Sequence, residues 1–207
     1  MTNALIETHY LPCLEYFTAT LACDEITLEV HENYQKQSYR NRCRILSAGG
    51  VLELSIPIRK TGGKMKITEA KIDYQQKWVK DHWRTIRTSY GNAPFFEHFA
   101  GYFEEIYQRK YRYLLDLNIA FFELCWKLMR MDKTIQRSEY YQPEGIAGQL
   151  DLRSRIHPKN TSETKHFYKP CNYNQIFGRK FAGNLSIIDL LFCEGPDAFQ
   201  ILLKSKP

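Results

Sequence analysis

The residue types best suited to chemistry gather in Tyr34-Gln35-Lys36-Gln37-Ser38-Tyr39-Arg40-Asn41-Arg42-Cys43-Arg44. In an extended chain, alternation puts Arg40, Arg42 and Arg44 on one side and Asn41 and Cys43 on the other. Guanidinium forks pair with carboxylate or phosphate, so with Lys36 such a row would hold a pyrophosphate or nucleotide tail. The plainer reading of the same row is a solvated charged edge paired with Glu29, Glu32 and nearby acids. A second group is Trp78, His82, Ile86, Ser89 and Tyr90, spaced to share one helix face. There His82 is a candidate general base, since an imidazole exchanges protons near neutral pH, and Trp83 and Tyr90 can stack on a sugar or planar ring. The plainer reading is a packed histidine with one hydrogen bond. A third candidate, His9, stands in the turn His9-Tyr10-Leu11-Pro12 between a first strand and a helix, where α/β sheets receive anions.

Several familiar arrangements are missing. The chain carries no GxGxxG or P-loop string, no GxSxG elbow, no HExxH, and no pair of carboxylates at a suggestive spacing. Cysteines at 13, 23, 43, 125, 171 and 193 form no CxxC knuckle. Four of them, Cys13, Cys23, Cys125 and Cys193, lie among apolar neighbours and read as small buried hydrophobes in a reducing compartment. The loose series His157, His166, Cys171 is the one alternative for zinc, so neither metal nor cofactor is expected.

Elements that position these residues follow from periodicity. Ala4 to Glu7 reads as a strand, Pro12 to Asp24 as a helix with Leu14, Phe17 and Leu21 in register, and Ile26 to Val30 as a strand, a βαβ opening. Leu52 to Ile58 alternates as a further strand, with Pro57 near its end, and Ile67 to Ile72 suggests another. From Gln76 the period becomes helical. One helix ends at Gly91-Asn92, a second opens at Pro94, and a third ends near Arg130. Thr134 to Gln136 reads as a short strand. Residues 137–170 are polar and broken by prolines and glycines, a lid or a long loop. Leu185 to Phe192 reads as the closing helix, with Asn184 or Ser186 as its cap. These elements predict a single α/β domain over 1–207, a small, mostly parallel, Rossmann-like sheet flanked by helices.

Composition sets the partners. Of 207 residues, 43% are hydrophobic and 25% charged, an ordinary globular balance. The 14 Tyr, 12 Phe and 3 Trp suit either a lined cleft or an aromatic core. A net charge of +6 favours an anionic small molecule, such as a nucleotide-sugar or an activated acyl donor. With no long Lys/Arg run and no recognisable module, nucleic acid is disfavoured. The N-terminus has no signal-peptide pattern and no apolar run reaches the ~18 residues of a membrane span, so a cytoplasmic chain is expected. Oligomeric state is left open.

In-order strings add a family likeness. They are Tyr10-Leu11-Pro12 with Glu15-Tyr16-Phe17, then QKQSYRNRC within 35–43, Leu54-Ser55-Ile56-Pro57, Trp78, His82-Trp83, Ser89-Tyr90 and Ala93-Pro94-Phe95-Phe96-Glu97. Asp151-Leu152-Arg153, Ile156-His157-Pro158-Lys159, Tyr173-Asn174-Gln175 and Asn184 to Phe192 continue them. On these residues the chain resembles the WbqC-like protein family of bacteria. The resemblance implies a place among O-antigen and other surface-polysaccharide genes, and a glycine-transferring role has been suggested for one branch. It points to aminoacyl or acyl transfer onto a sugar, or to a non-catalytic nucleotide- or sugar-binding accessory of the same pathway. In the transferase reading Lys36, Arg40, Arg42 and Arg44 hold an anionic donor or acceptor such as a nucleotide-sugar, and His82 takes the proton. Asn41, Tyr90, Tyr173 and Gln175 orient the sugar, and Asp189 completes the substrate-binding set. The chain departs from the pattern at Cys193, where Asn is expected, and in a shorter 137–166 region. A fainter likeness places Pro12 to Tyr16 where nucleotidylyltransferase-like proteins carry Pro-x-His-x-Gly-His, but the histidines and glycine of that motif are absent.

Overall fold

Alternation of Ala4 and Ile6 with Asn3, Leu5 and Glu7 makes Asn3–Glu7 the first strand, β1. The computed structural model describes residues 2–59, 62–143, 148–158 and 167–207. After β1 the chain turns through Pro12 into α1 (Leu14–Leu21) and returns as β2 (Glu25–Glu29), parallel to β1. Every residue of α1 is buried, including Glu15, Thr18 and Thr20. Both threonines return their hydroxyls to helix carbonyls, as a helix enclosed on all sides requires. Cys13 supplies no side-chain cap, and Asn184 does so from far along the chain: its Oδ1 accepts from the Glu15 N–H at 2.9 Å.

Next come β3 (Arg42–Ser47) and β4 (Gly50–Ser55), an antiparallel hairpin turning at Gly50 with φ 103°. Three helices follow, α2 (Trp78–Tyr90), α3 (Phe96–Gln108) and α4 (Leu114–Leu128). Then β5 (Thr134–Arg137) and β6 (Gln149–Asp151) join the first sheet, and α5 (Ile187–Glu194) and α6 (Ala198–Lys204) close the described chain. The architecture is α/β, with a four-strand parallel sheet in the order β5-β2-β1-β6 beside the two-strand hairpin.

Two expectations are corrected, and one short strand is added. Ile67 to Ile72 is not a strand: Ile67–Glu69 is a 3-10 turn, closed by the Glu69 carboxylate accepting from the Lys66 N–H, and Ile72 makes only a single bridge to Ile58. The polar 137–170 stretch contains β6, whose three residues are too few to show a period. Residues 144–147 and 159–166 of that stretch, with Lys159 and His166, lie outside the described residues. Finally, two helices close the chain, because Gly195, at φ 55° and against the Phe95 ring, interrupts the run.

The two faces of the parallel sheet differ. Ala4, Ile6, Ile26 and Leu28 belong to the hydrophobic core, where Phe17 of α1 meets Phe122 and Trp126 of α4. The opposite face carries Asn3, Leu5, Glu7, Thr27, Glu29, Gln149 and Asp151, a polar set on strands of a type usually apolar on both sides. Its carboxylates cluster where the parallel strands end.

Candidate functional site

The chain leaves β1 for β2 on one side and reaches β6 on the other, so strand order reverses beside β1. Open α/β sheets take ligands at such a reversal, outside the carboxyl ends of the strands. There, Glu7, His9 and Arg40 are each 1% exposed. His9 Nε2 meets Glu7 Oε1 at 3.2 Å, and the Ser154 N–H donates to Glu7 Oε2 at 2.9 Å. Burial raises the Glu7 carboxyl, but the hydrogen bond from His9 and the charge of Arg40 hold it down at about 2. Burial lowers His9 and keeps it neutral at pH 7, against the pull of Glu7. A neutral His9 donating through Nε2 carries its lone pair on Nδ1. That atom is buried and has no hydrogen-bond partner among the described residues. A carboxylate orients an imidazole whose other nitrogen can accept a proton, the arrangement general-base catalysis uses. The surrounding backbone is held out of its relaxed regions: Leu11 has φ 42° and Ser154 φ 57°, and non-glycine residues take such angles where neighbours impose them.

Around this pair, charges are matched in detail. Arg40 Nε and Nη2 fork onto Glu32 at 2.7 and 2.5 Å, and Nη2 lies 3.5 Å from Glu7. Asn118 of α4 donates to the Arg40 carbonyl at 2.8 Å. Arg153 Nη1 reaches Glu29 at 3.1 Å while its Nε and Nη2 hold Asp151, tying β6 to β2 across the end of β1. Arg40 therefore does not share a side with Arg42 and Arg44. It precedes β3 and turns inward, because two buried carboxylates need a cation. The expected pairing with Glu32 is present, but buried rather than solvated.

Beside this core runs a groove of about 650 Å³, whose lining includes Tyr34, Lys36, Asn41, Arg42, Arg59 and Lys64. It adjoins a second hollow that shares Arg59 and Lys64 and reaches Lys71. Asn41 Oδ1 and Arg42 Nε are buried there without partners among the described residues, and Arg42 Nη1 bonds Glu53 at 2.8 Å. Arg44 is outside the lining and donates to the Pro158 carbonyl at 3.3 Å. Groove and core share a loop: Gln35, between Tyr34 and Lys36, donates to Ser154 Oγ, whose own N–H holds Glu7.

His82 lies behind the groove wall. Its Nδ1 meets the Tyr10 hydroxyl at 2.9 Å, that hydroxyl also bonds Tyr107, and the ring bonds the Ser55 backbone. Burial lowers the imidazole to about 4, so it is a neutral packing residue at pH 7. Tyr90, Tyr173, Gln175 and Asp189 do come together, though as a closed clamp. Asp189, wholly buried, accepts from Tyr90 at 2.8 Å, Tyr173 at 2.6 Å and Gln175 at 2.9 Å, so the 173–184 segment is pinned to α5. Four thiols are disfavoured as nucleophiles, since burial pushes Cys13 and Cys193 up to about 12 and raises Cys43 and Cys125 further. Among the described residues no group of three His, Cys, Asp or Glu side chains could hold a metal ion.

Glu7, Glu32, Asn118 and Arg153 were not singled out from the sequence as site residues. Their signal was faint: acids closing apolar strands, and one asparagine inside the apolar stripe of α4.

No helix among the described residues is long and apolar enough to cross a membrane. Comparison with known proteins gives one similar curated protein, the uncharacterised Rv1507c of Mycobacterium tuberculosis, 31% identical over 105 residues. That stretch is 50% of this chain and 45% of the relative, so the chain spans under half of that protein. No solved structure matches significantly. The WbqC-like sequence model covers residues 8–164, taking in His9, the groove and β6 and leaving Tyr173, Gln175 and Asp189 outside. With that much of it matched, the chain belongs to the WbqC-like protein family.

Proposed function

We propose that this chain is a transferase of surface-polysaccharide assembly that moves an aminoacyl or acyl group onto a sugar, with His9 as general base. The observation that carries this reading is the unpartnered Nδ1 of His9 beside a nitrogen fixed by Glu7. His9 accepts the proton of a sugar hydroxyl or amine as that oxygen or nitrogen bonds to the acyl carbon. The donor's leaving group departs with the electron pair of the broken bond and takes the proton back from Nδ1. An anionic ligand, an activated acyl compound as donor or a nucleotide-sugar as acceptor, suits the groove of Lys36, Arg42, Arg59 and Lys64, whose volume is that of a drug-sized ligand. Because His9 is buried, the attacking group reaches Nδ1 only when the covering chain opens, and its return over the bound group excludes water during transfer. The 152–158 loop, with His157 close enough for its charge to act on His9, belongs to that cover.

The test is a thermal-shift and calorimetric panel of nucleotide-sugars as acceptors and acyl thioesters and aminoacyl-adenylate analogues as donors, followed by turnover of the donor and acceptor that bind. The expected result is that His9→Gln keeps donor binding and loses at least ~100-fold in turnover, the usual share of a general base. The joint change Lys36→Ala and Lys64→Ala should abolish donor binding. Full turnover in His9→Gln removes the base from the mechanism. A wild-type chain that binds a donor and never turns it over is the accessory binding protein instead, a reading favoured by the near-complete burial of His9.

A further inference from the structure

The polar face of the parallel sheet is lined for a ligand, and its chemistry differs from that of the basic groove. Over β5, β2, β1 and β6 lies a cavity of about 220 Å³ whose lining includes Asn3, Thr27, Gln136, Gln149, Gln142 and Tyr140. Four of those six side chains are amides, one is a hydroxyl and one a phenol. The floor is Leu5, buried yet outside the hydrophobic core. Thr27 donates to Asn3 Oδ1 at 3.1 Å and receives from Gln136 Nε2 at 3.2 Å, which lines up two amides along the sheet. Gln149 Oε1 is buried there without a hydrogen-bond partner among the described residues. An acceptor left so is costly unless something donates to it.

We propose that this face binds a single neutral sugar ring. Amide side chains offer donors and acceptors together, and vicinal hydroxyls are the ligand groups that use both at once. Tyr140, 61% exposed, presents an aromatic face of the kind that packs against the C–H side of a pyranose. The volume falls below the about 300–1,000 Å³ of drug-sized sites, which limits the ligand to about one ring. Phosphate and uronate are disfavoured, because the one cation among the described lining residues, Arg137, lies 3.9 Å from Asp116, and Glu139 adds a negative charge. A parallel sheet face is ordinarily apolar beneath a helix, and this one carries the side chains of a wet site. The sugar's role as acceptor rests on the transfer reading above, whereas its binding does not.

The experiment is saturation-transfer NMR on the full chain with galactose, glucose, N-acetylglucosamine and rhamnose as probes, and glucuronate and glucose 1-phosphate as charged comparisons. Ring protons of at least one neutral sugar should receive saturation. Both Gln149→Leu and Tyr140→Ala should weaken that binding about tenfold, and Lys36→Ala with Lys64→Ala should leave it unchanged. Tyr140 is exposed, so its truncation leaves the melting temperature unmoved and separates lost binding from lost fold. The proposal is overturned if no neutral sugar is saturated in the millimolar range, if binding survives both substitutions, or if the charged probes bind better. Sugar binding without any turnover would end the transfer reading alone.

Discussion

Arg40 and Arg42 stand two residues apart in one polar stretch, and the regions they enter have opposite electrostatics. Arg40 is 1% exposed and forks onto Glu32 with Glu7 at its flank, so its charge is spent inside the molecule. Arg42 begins β3 at a half-open wall, paired with Glu53, among Lys36, Arg59 and Lys64. A guanidinium in the first setting holds carboxylates in the fold, and in the second it adds to a field that draws an anion. Residue type is therefore no guide to role here. What decides it is which carboxylates the chain has already buried nearby.

The strongest way to break this contrast is Arg40→Met. Removing one partner of a buried pair leaves the other charge uncompensated, at a cost of ~3–5 kcal/mol. Urea unfolding at pH 7 should show that loss. Adding Glu32→Gln should recover part of it, because one orphaned carboxylate is then neutral while Glu7 still carries its charge. A single variant as stable as wild type would mean that the buried cluster is not held by Arg40.

Acid sharpens the same contrast, and each titrating group taken alone has a somewhat smaller effect. Glu7 titrates at about 2 in the fold against an ordinary 4.5, and His82 at about 4 against 6.5. Both folded values are depressed, so the unfolded chain binds more protons as pH falls and stability drops with it. The His82 contribution is lost between pH 6.5 and 4, and the Glu7 contribution between 4.5 and 2. At ~1.4 kcal/mol per pH unit, the difference between 6.5 and 4 makes the His82 share about 3 kcal/mol. His82→Gln should flatten the upper window in part, since His9 is depressed in the same direction, and leave the Glu7 window intact. An unchanged slope between pH 6.5 and 4 in that variant would show that His82 is not a buried neutral imidazole.

Most strands and helices were legible in the sequence because they carry a clear period. By contrast β3, which opens on Arg42 and Arg44, reads only as part of a polar segment, and α6 shows no separate signal. The βαβ opening, the hairpin strand at Leu52 and the helices from Trp78 to Leu128 all have alternating or helical stripes. β6 has three residues and Ile67–Glu69 is one turn, so no period forms in either. The site was harder to read, since burial and pairing are tertiary facts. Alternation alone put Arg40 beside Arg42, because nothing in the local string shows that the chain turns inward just before β3. Likewise His82 and His9 look alike as single imidazoles near tyrosines. Only the folded chain places Tyr10 and the Ser55 backbone on one and Glu7 on the other. Asp189, Tyr90, Tyr173 and Gln175 were grouped from separate strings, and they do meet, with the Asp189 carboxylate accepting from the other three.

The smallest expected effect belongs to Arg42→Ala. Its pair with Glu53 is a 2.8 Å contact between side chains 28% and 36% exposed, so water and salt screen most of the attraction. Such pairs contribute ~0.2–1 kcal/mol, and the melting temperature should move little. Ligand binding should respond more than the fold does: with one groove cation gone, affinity for whichever anionic donor the panel identifies should fall and become less sensitive to salt. A stability loss matching that of Arg40→Met would place Arg42 in the structural core, since no half-exposed pair supplies that much. Unchanged donor affinity would instead show that the bound anion lies beyond the reach of Arg42, toward Arg59 and Lys64.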